Sequence, residues 1–304
     1  MKYFILCILF AGIIFAEEAA NSTIMVRCDD GSEYDFLSAP QDIKLGSMKG
    51  AINPNVDTVV FIHGFNTSYS GATGSYSNAR NVMSRELGNM NYVGVYWPSN
   101  TLDFPTAIKR ANKSGNYIMH ILSEINKQAG GRSRIHIVCH SLGARVLLNT
   151  LKENAARSIP WGNMCFLAAA VDQDAFFTFN GTNMVGRNNL IIYSENDLVL
   201  KYLYSREEVA KLPGAEKFNK LSFDNKVQYL QTFRHAGLRS EFDHLLYSKL
   251  QKTRGIAMGL EGAFLGNSQE LQNVENRDKS SIVPSHSYWS NNQILQYTAQ
   301  KIKE

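Results

Sequence analysis

Ser141 stands where an apolar run meets a helix-forming one, in Ile135-His136-Ile137-Val138-Cys139-His140-Ser141-Leu142-Gly143-Ala144. A serine on so tight a strand-to-helix turn forms a nucleophile elbow. The amino end of the helix beneath it favours developing negative charge. The residues two before and two after the serine are expected to approach each other and so to be small. Gly143 meets that need, while Cys139 stands where the pattern usually has glycine. A serine that merely caps a helix is the bland alternative. The buried strand before Ser141 and the apolar helix after it favour the nucleophile.

Acyl transfer at Ser141 needs donors for the oxyanion, a base and an acid. A second apolar run, Thr58-Val59-Val60-Phe61-Ile62, stops at His63-Gly64-Phe65-Asn66. That is the usual place of the first oxyanion donor, so the backbone N–H groups of Phe65 and Leu142 are nominated. Gly64 permits the close turn, and His63 and His140 are read as shaping the substrate loops. The seven histidines are His63, His120, His136, His140, His235, His244 and His286. Elbow-type serine hydrolases run serine, acid, histidine along the chain, which leaves the last three. His244 sits in an amphipathic helical stretch and His235 has no clear context. His286 lies in Val283-Pro284-Ser285-His286-Ser287-Tyr288-Trp289, a loop before the final helix, and is the nominated base. Two aspartates follow apolar runs: Asp197 after Leu190-Ile191-Ile192-Tyr193, and Asp172 after Ala168-Ala169-Ala170-Val171. Asp197, on the later strand, is preferred as the acid. Asp172 is the alternative, Asp174 stands behind it, and Glu195 sits earlier in the later turn.

The elements that must hold these residues follow from hydrophobic periodicity. Short strands are expected at 23–28 and 34–37, at an edge, with a loop over 40–54. Strands at 58–62, 92–97, 134–139, 164–171 and 189–193 alternate with helices at 78–87, 106–129 and 141–154. The segment 66–77 is rich in glycine and serine, and a last helix spans 291–301. Alternation of this kind specifies an α/β fold, a mainly parallel sheet with helices on both faces and the site beyond the strand carboxyl ends. Residues 201–260 read as helical, either a lid or a peripheral insertion, with 242–250 the candidate apolar lid face.

The bulk properties exclude several classes. A net charge of +4, without runs of like charge, argues against nucleic acid as a partner. Residues 1–16 have the layout of a secretory signal: a charged start, a short apolar run and a small residue at the cut, with cleavage after Ala20 as the alternative. The chain is therefore expected to be exported, periplasmic or extracellular, with 21–304 as one domain. Removal of Cys7 would leave Cys28, Cys139 and Cys165. The last two lie in apolar runs and read as buried core residues, and no cysteine spacing suggests a metal site. Sequons stand at Asn21, Asn66, Asn112 and Asn180, and a glycan on Asn66 would obstruct the nominated site.

Taken together, Phe61-Ile62-His63-Gly64-Phe65-Asn66-Thr67-Ser68, Tyr96-Trp97-Pro98-Ser99 and Cys139-His140-Ser141-Leu142-Gly143-Ala144-Arg145-Val146-Leu147 resemble the bacterial alpha/beta hydrolase family of unknown function. The likeness continues through Ala170-Val171-Asp172-Gln173-Asp174-Ala175-Phe176, Tyr193-Ser194-Glu195-Asn196-Asp197 and His286-Ser287-Tyr288. The resemblance implies the α/β-hydrolase fold and a Ser141–Asp197–His286 triad, and says little about substrate. The family usually has alanine where Cys139 sits. The expected function is hydrolysis of a carboxylic ester, from a small molecule or a lipid, with no metal or organic cofactor. Amide or thioester cleavage on the same residues, a non-catalytic binding protein on this scaffold and transient contact with a lipid surface are the rival expectations.

Overall fold

The computed structural model describes residues 23–28, 48–153, 156, 158–178, 186–204, 213–221, 257–264 and 273–304, with 210, 225, 229 and 245 between them. The signal segment, residues 34–37, His235, His244 and nearly all of the 242–250 lid face lie outside the described residues.

Eight strands form one sheet: β1 Ile24–Arg27, β2 Met48–Lys49, β3 Thr58–Ile62, β4 Asn91–Tyr96, β5 Ile135–His140, β6 Trp161–Leu167, β7 Asn189–Tyr193 and β8 Val274–Asp278. Their order is β2-β1-β4-β3-β5-β6-β7-β8. Every pairing is parallel except β1 with β2. β3, β5 and β6 are buried along their whole length, as continuous apolar runs in the middle of a covered parallel sheet must be.

The long helices are α1 Tyr69–Leu87, α2 Phe104–Gln128 and α3 Gly143–Leu151, with short turns at α4 Ala175–Thr178, α5 Glu216–Asn219 and α6 Met258–Glu261 before the last helix, α7 Asn292–Lys303. The connection β3–α1–β4 runs one way across the sheet, while β4–α2–β5 and β5–α3–β6 run the other. Right-handed crossovers therefore put α1 on one face and α2 and α3 on the opposite one. α7 packs on α1, and α2 on α3. Among the described residues no helix is long and apolar enough to cross a membrane.

Several expectations need correction. α1 begins at Tyr69, not at residue 78, because the Ser68 hydroxyl accepts from Gly71 N–H and caps the helix within the glycine- and serine-rich stretch. β1 is not an edge strand: it lies between β4 and β2, and β2 falls inside the stretch expected to be loop. β8 was not expected at all. Its Val-Glu-Asn-Arg-Asp sequence is half solvated on the sheet's far edge, so it carries no apolar signature. The strand expected at 164–171 is β6, shifted toward the amino end, and its last four residues form the loop beyond the strand.

The register aligns the strand ends. Ile62 faces Cys139, His140 faces Leu167, Leu167 faces Ile192 and Tyr193 faces Asp278. The residues just past β3, β5, β6 and β7 therefore share one rim. The crevice between β3 and β5 is where the outgoing helices diverge to opposite faces, the usual place for a site on an open α/β sheet.

Candidate active site

The turn at Ser141 is strained and held from two sides. Ser141 has φ 54°, the left-handed region, which costs a non-glycine residue about 1–3 kcal/mol. Its N–H donates to Leu167 O at 2.9 Å, and its carbonyl accepts from Ala170 N–H at 3.0 Å. Both partners belong to the end of β6 and its loop. On the other side, a Cβ at Gly143 would stand 2.6 Å from the carbonyl oxygens of Ile62 and His63. A Cβ at Gly64 would stand 2.8 Å from Ser141 Cβ. The requirement for a small residue at 143 thus comes chiefly from the end of β3. Cys139 is buried, and its thiol points to Cys165 O at 3.6 Å.

Among the nominated polar residues, the shortest contact joins His286 Nδ1 to Asp197 Oδ2, at 2.6 Å. Asp197 is fully buried, and its second oxygen accepts from Leu200 N–H at 3.1 Å. With Nδ1–H donated to the carboxylate, His286 presents Nε2 as an acceptor. The His286 loop is tied to β7 through Ser194, whose hydroxyl donates to Val283 O at 2.8 Å. Asp172 stands elsewhere: its Oδ1 accepts from the Tyr204 hydroxyl at 3.1 Å, and its backbone bridges to Ala257. Asp174 and Glu195 are exposed. Among the described residues the Ser141 hydroxyl has no hydrogen-bond partner. Catalytic hydrogen bonds are often long in unliganded enzymes and tighten when substrate binds.

His140 joins the two halves. Its Nε2–H donates to the His286 carbonyl at 3.2 Å, and the two rings pack with centroids 4.6 Å apart. Burial holds His140 well below the ordinary histidine range, with the neighbouring His286 pushing the same way. The ring therefore stays neutral, and its proton sits on Nε2. His63 is sealed in similarly. It accepts from Trp97 N–H at Nε2, donates from Nδ1 to Gly64 O at 3.0 Å, and stacks on the Trp97 ring. Burial lowers its pKa to about 4, against a smaller opposing effect from the Gly64 carbonyl. Both ring nitrogens are thus used, Nδ1 within the loop and Nε2 by Trp97 just past β4.

The His63–Thr67 loop is held by β4 and its exit. Asn66 N–H donates to Ser99 O at 3.0 Å, and Thr67 N–H to Ser99 Oγ at 3.2 Å. Tyr76 on α1 accepts from His63 N–H and donates to Val95 O, bridging β3 to β4. The Phe65 ring meets Phe104 edge-on at 5.1 Å. Among the described residues neither Phe65 N–H nor Leu142 N–H has an acceptor. Two donors beside a serine turn are what a developing oxyanion requires. A cleft of about 400 Å³ opens next to His140 and His286, bounded by Ser75 and Asn78 of α1 and by Trp289.

Residues 48–208, just over half the chain, match the family model described as "Alpha/beta hydrolase of unknown function (DUF900)". The chain belongs to this alpha/beta hydrolase family. Solved structures similar to this alpha/beta hydrolase include MenH from S. aureus, at 15% identity over 83% of this chain and 95% of that one, with a TM-score of 0.35. Aspergillus fumigatus lipase B is 11% identical over 84% of this chain and 55% of its own, with a TM-score of 0.44. The peroxisomal alpha-beta-hydrolase Lpx1 from Saccharomyces cerevisiae is 10% identical over 90% and 87%, with a TM-score of 0.33. No curated protein sequence matches the chain.

The parts of this hydrolase's site that the sequence did not reveal are supporting ones. Tyr76, Trp97 and Ser99 hold the loop after β3, and Ser194 anchors the His286 loop. Trp97 and Ser99 lie in a motif that carries the family resemblance, but spacing along the chain gives no hint of their partners.

Proposed function

We propose that this alpha/beta hydrolase is an exported serine hydrolase that cleaves a carboxylic ester through an acyl-enzyme on Ser141. One observation carries the reading: the 2.6 Å contact between His286 Nδ1 and buried Asp197, on the rim that holds the strained Ser141 turn.

In this reading His286 Nε2 takes the Ser141 proton as Oγ attacks the ester carbonyl. The negative charge moves to the carbonyl oxygen and meets the N–H groups of Phe65 and Leu142. Each such donor is worth about 3 kcal/mol of barrier. His286 then gives the proton to the leaving alcohol, and the carbon–oxygen bond breaks. Water, deprotonated by the same imidazole, releases the acid and restores the serine. Asp197 keeps the imidazole in one tautomer and stabilises its cation. The same steps serve an amide or a thioester, so the leaving group is for assay to assign.

Large apolar side chains support an ester with an apolar acyl group, or one presented at a lipid surface. Leu102, Leu198 and Phe264 stand exposed in segments that follow β4, β7 and α6. Leu198 directly follows Asp197. Export rests on residues 1–16, which lie outside the described residues.

The test is hydrolysis of p-nitrophenyl esters over a range of acyl lengths, with Ser141→Ala beside the wild type. The reading requires turnover that disappears in the variant. Folded wild type that neither turns over an ester nor reacts with a fluorophosphonate would favour the binding-scaffold alternative.

A further inference from the structure

The Gly64–Phe65 peptide carries one of the two N–H groups nominated for the oxyanion. A peptide unit is planar and trans, so its N–H points opposite to its carbonyl. Whatever holds Gly64 O therefore aims Phe65 N–H. Two side chains reach that oxygen: His63 Nδ1 at 3.0 Å and Thr67 Oγ1 at 3.3 Å. Thr67 Oγ1 also lies 3.3 Å from Phe65 O. Around them, the N–H groups of His63, Asn66 and Thr67 each have an acceptor.

Ser99 stands behind both side chains that hold Gly64 O. β3 and β4 are parallel neighbours, with Ile62 facing Val95, so the residues just past β4 run beside the loop just past β3. Ser99 is fully buried there. Its Oγ accepts from Thr67 N–H at 3.2 Å, donates to Thr67 O at 3.3 Å and lies 3.3 Å from His63 Nδ1. Its carbonyl accepts from Asn66 N–H at 3.0 Å. Ser99 is itself braced. Its carbonyl also accepts from Thr101 N–H at 2.9 Å, and the Arg110 guanidinium donates to Pro98 O at 3.2 Å. Asn66, next to Phe65, has φ 52°. A non-glycine residue keeps such a φ only where its surroundings hold it, and the Ser99 carbonyl supplies part of that hold.

We propose that Ser99 is a positioning residue for oxyanion stabilisation: through His63 and Thr67 it fixes the Gly64–Phe65 peptide, and so the direction of Phe65 N–H. The inference rests on the reading of Ser141 as an acyl-transfer nucleophile and adds a residue on which its rate depends.

The experiment measures labelling of Ser141 by a fluorophosphonate, with a P=O group, and by its P=S counterpart. In both, Ser141 Oγ bonds to phosphorus, fluoride leaves and the serine proton passes to His286. Charge develops on oxygen in the first probe and on sulfur, a weaker acceptor, in the second. Aligned donors therefore favour the P=O probe, and the ratio of the two rates reads their alignment. The wild type is expected to react faster with the P=O probe. Ser99→Ala is expected to lower the ratio about tenfold, through the P=O rate. Ser99→Cys, whose thiol hydrogen-bonds more weakly, should give an intermediate ratio, and it carries the test if Ser99→Ala does not fold. Partial unfolding lowers the labelled fraction with both probes and leaves the ratio of rates unchanged. A ratio that stays at the wild-type value, or a fall in rate shared equally by the two probes, would overturn the proposal, while labelling at Ser141 would leave the hydrolase reading standing. Folded wild type labelled by neither probe would remove both.

Discussion

His140 donates from Nε2 to the backbone carbonyl of His286 at 3.2 Å, across 146 residues of sequence, with the two rings tilted at 46° and their centroids 4.6 Å apart. The residue before the proposed nucleophile thus fixes the loop that carries the proposed base. His140→Phe keeps a ring but loses the donor. It is expected to lower kcat about tenfold while leaving KM nearly unchanged, because the lost contact orients His286 and does not hold substrate. His140→Gln, with an amide N–H in place of the ring N–H, should recover part of the loss. Steady-state kinetics on the three proteins separates orientation from simple destabilisation, which would lower the active fraction in both variants.

A contact separates the two candidate acids. Asp197 meets His286, whereas Asp172 meets Tyr204. Asp197→Asn is expected to reduce kcat by about 10³–10⁴ through the wrong imidazole tautomer. Asp172→Asn should cost at least a hundredfold less. Comparing the two variants on one neutral ester, with folding checked by circular dichroism, decides between them.

Acid should weaken the fold through its buried histidines. His63 has a pKa of about 4 in the folded chain against 6.5 for the free group. Its folded value is depressed, so the unfolded chain binds the proton first and stability falls as pH drops from 6.5 toward 4. The sensitivity attributable to this fully buried ring is about 3 kcal/mol. Burial of His140 acts in the same direction. Denaturant titrations across that range should show the slope, and His63→Gln should be both less stable at neutral pH and less sensitive to acid.

Cys139 and Cys165 are free and buried. Burial pushes the Cys165 thiol to about 12 and raises Cys139 too, so little thiolate forms at neutral pH. A thiol reagent added to native protein should leave both unmodified, and denaturant should expose them without any reductant. Rapid modification in the native state would contradict the packing around β5 and β6.

Much of this was legible in the chain because the central elements announce themselves locally. β5, the Ser141 turn and α3 form one uninterrupted signal: a buried strand, a small-residue corner and an apolar helix. β7 was readable for the same reason. What failed locally depended on distant partners. The first half of α1 has the composition of a loop, and it is helical because Ser68 caps it and Ala72, Tyr76 and Ala79 are buried against the rest of the fold. β8 is polar because it is an edge. The choice between Asp197 and Asp172 rested on a contact to a loop some 90 residues further on. The pairing of His140 with His286 likewise joins two loops that sequence spacing cannot bring together.

The central claim is that Ser141 is a nucleophile activated by His286. The most direct measurement is covalent labelling by a fluorophosphonate, with the modified residue located by peptide mass spectrometry, in wild type, Ser141→Ala and His286→Ala. Labelling at Ser141 in the wild type, its absence in Ser141→Ala and a rate reduced by several orders of magnitude in His286→Ala are the results this account requires. Folded wild type left unlabelled, or a label carried by another serine with equal rates in all three proteins, would contradict it.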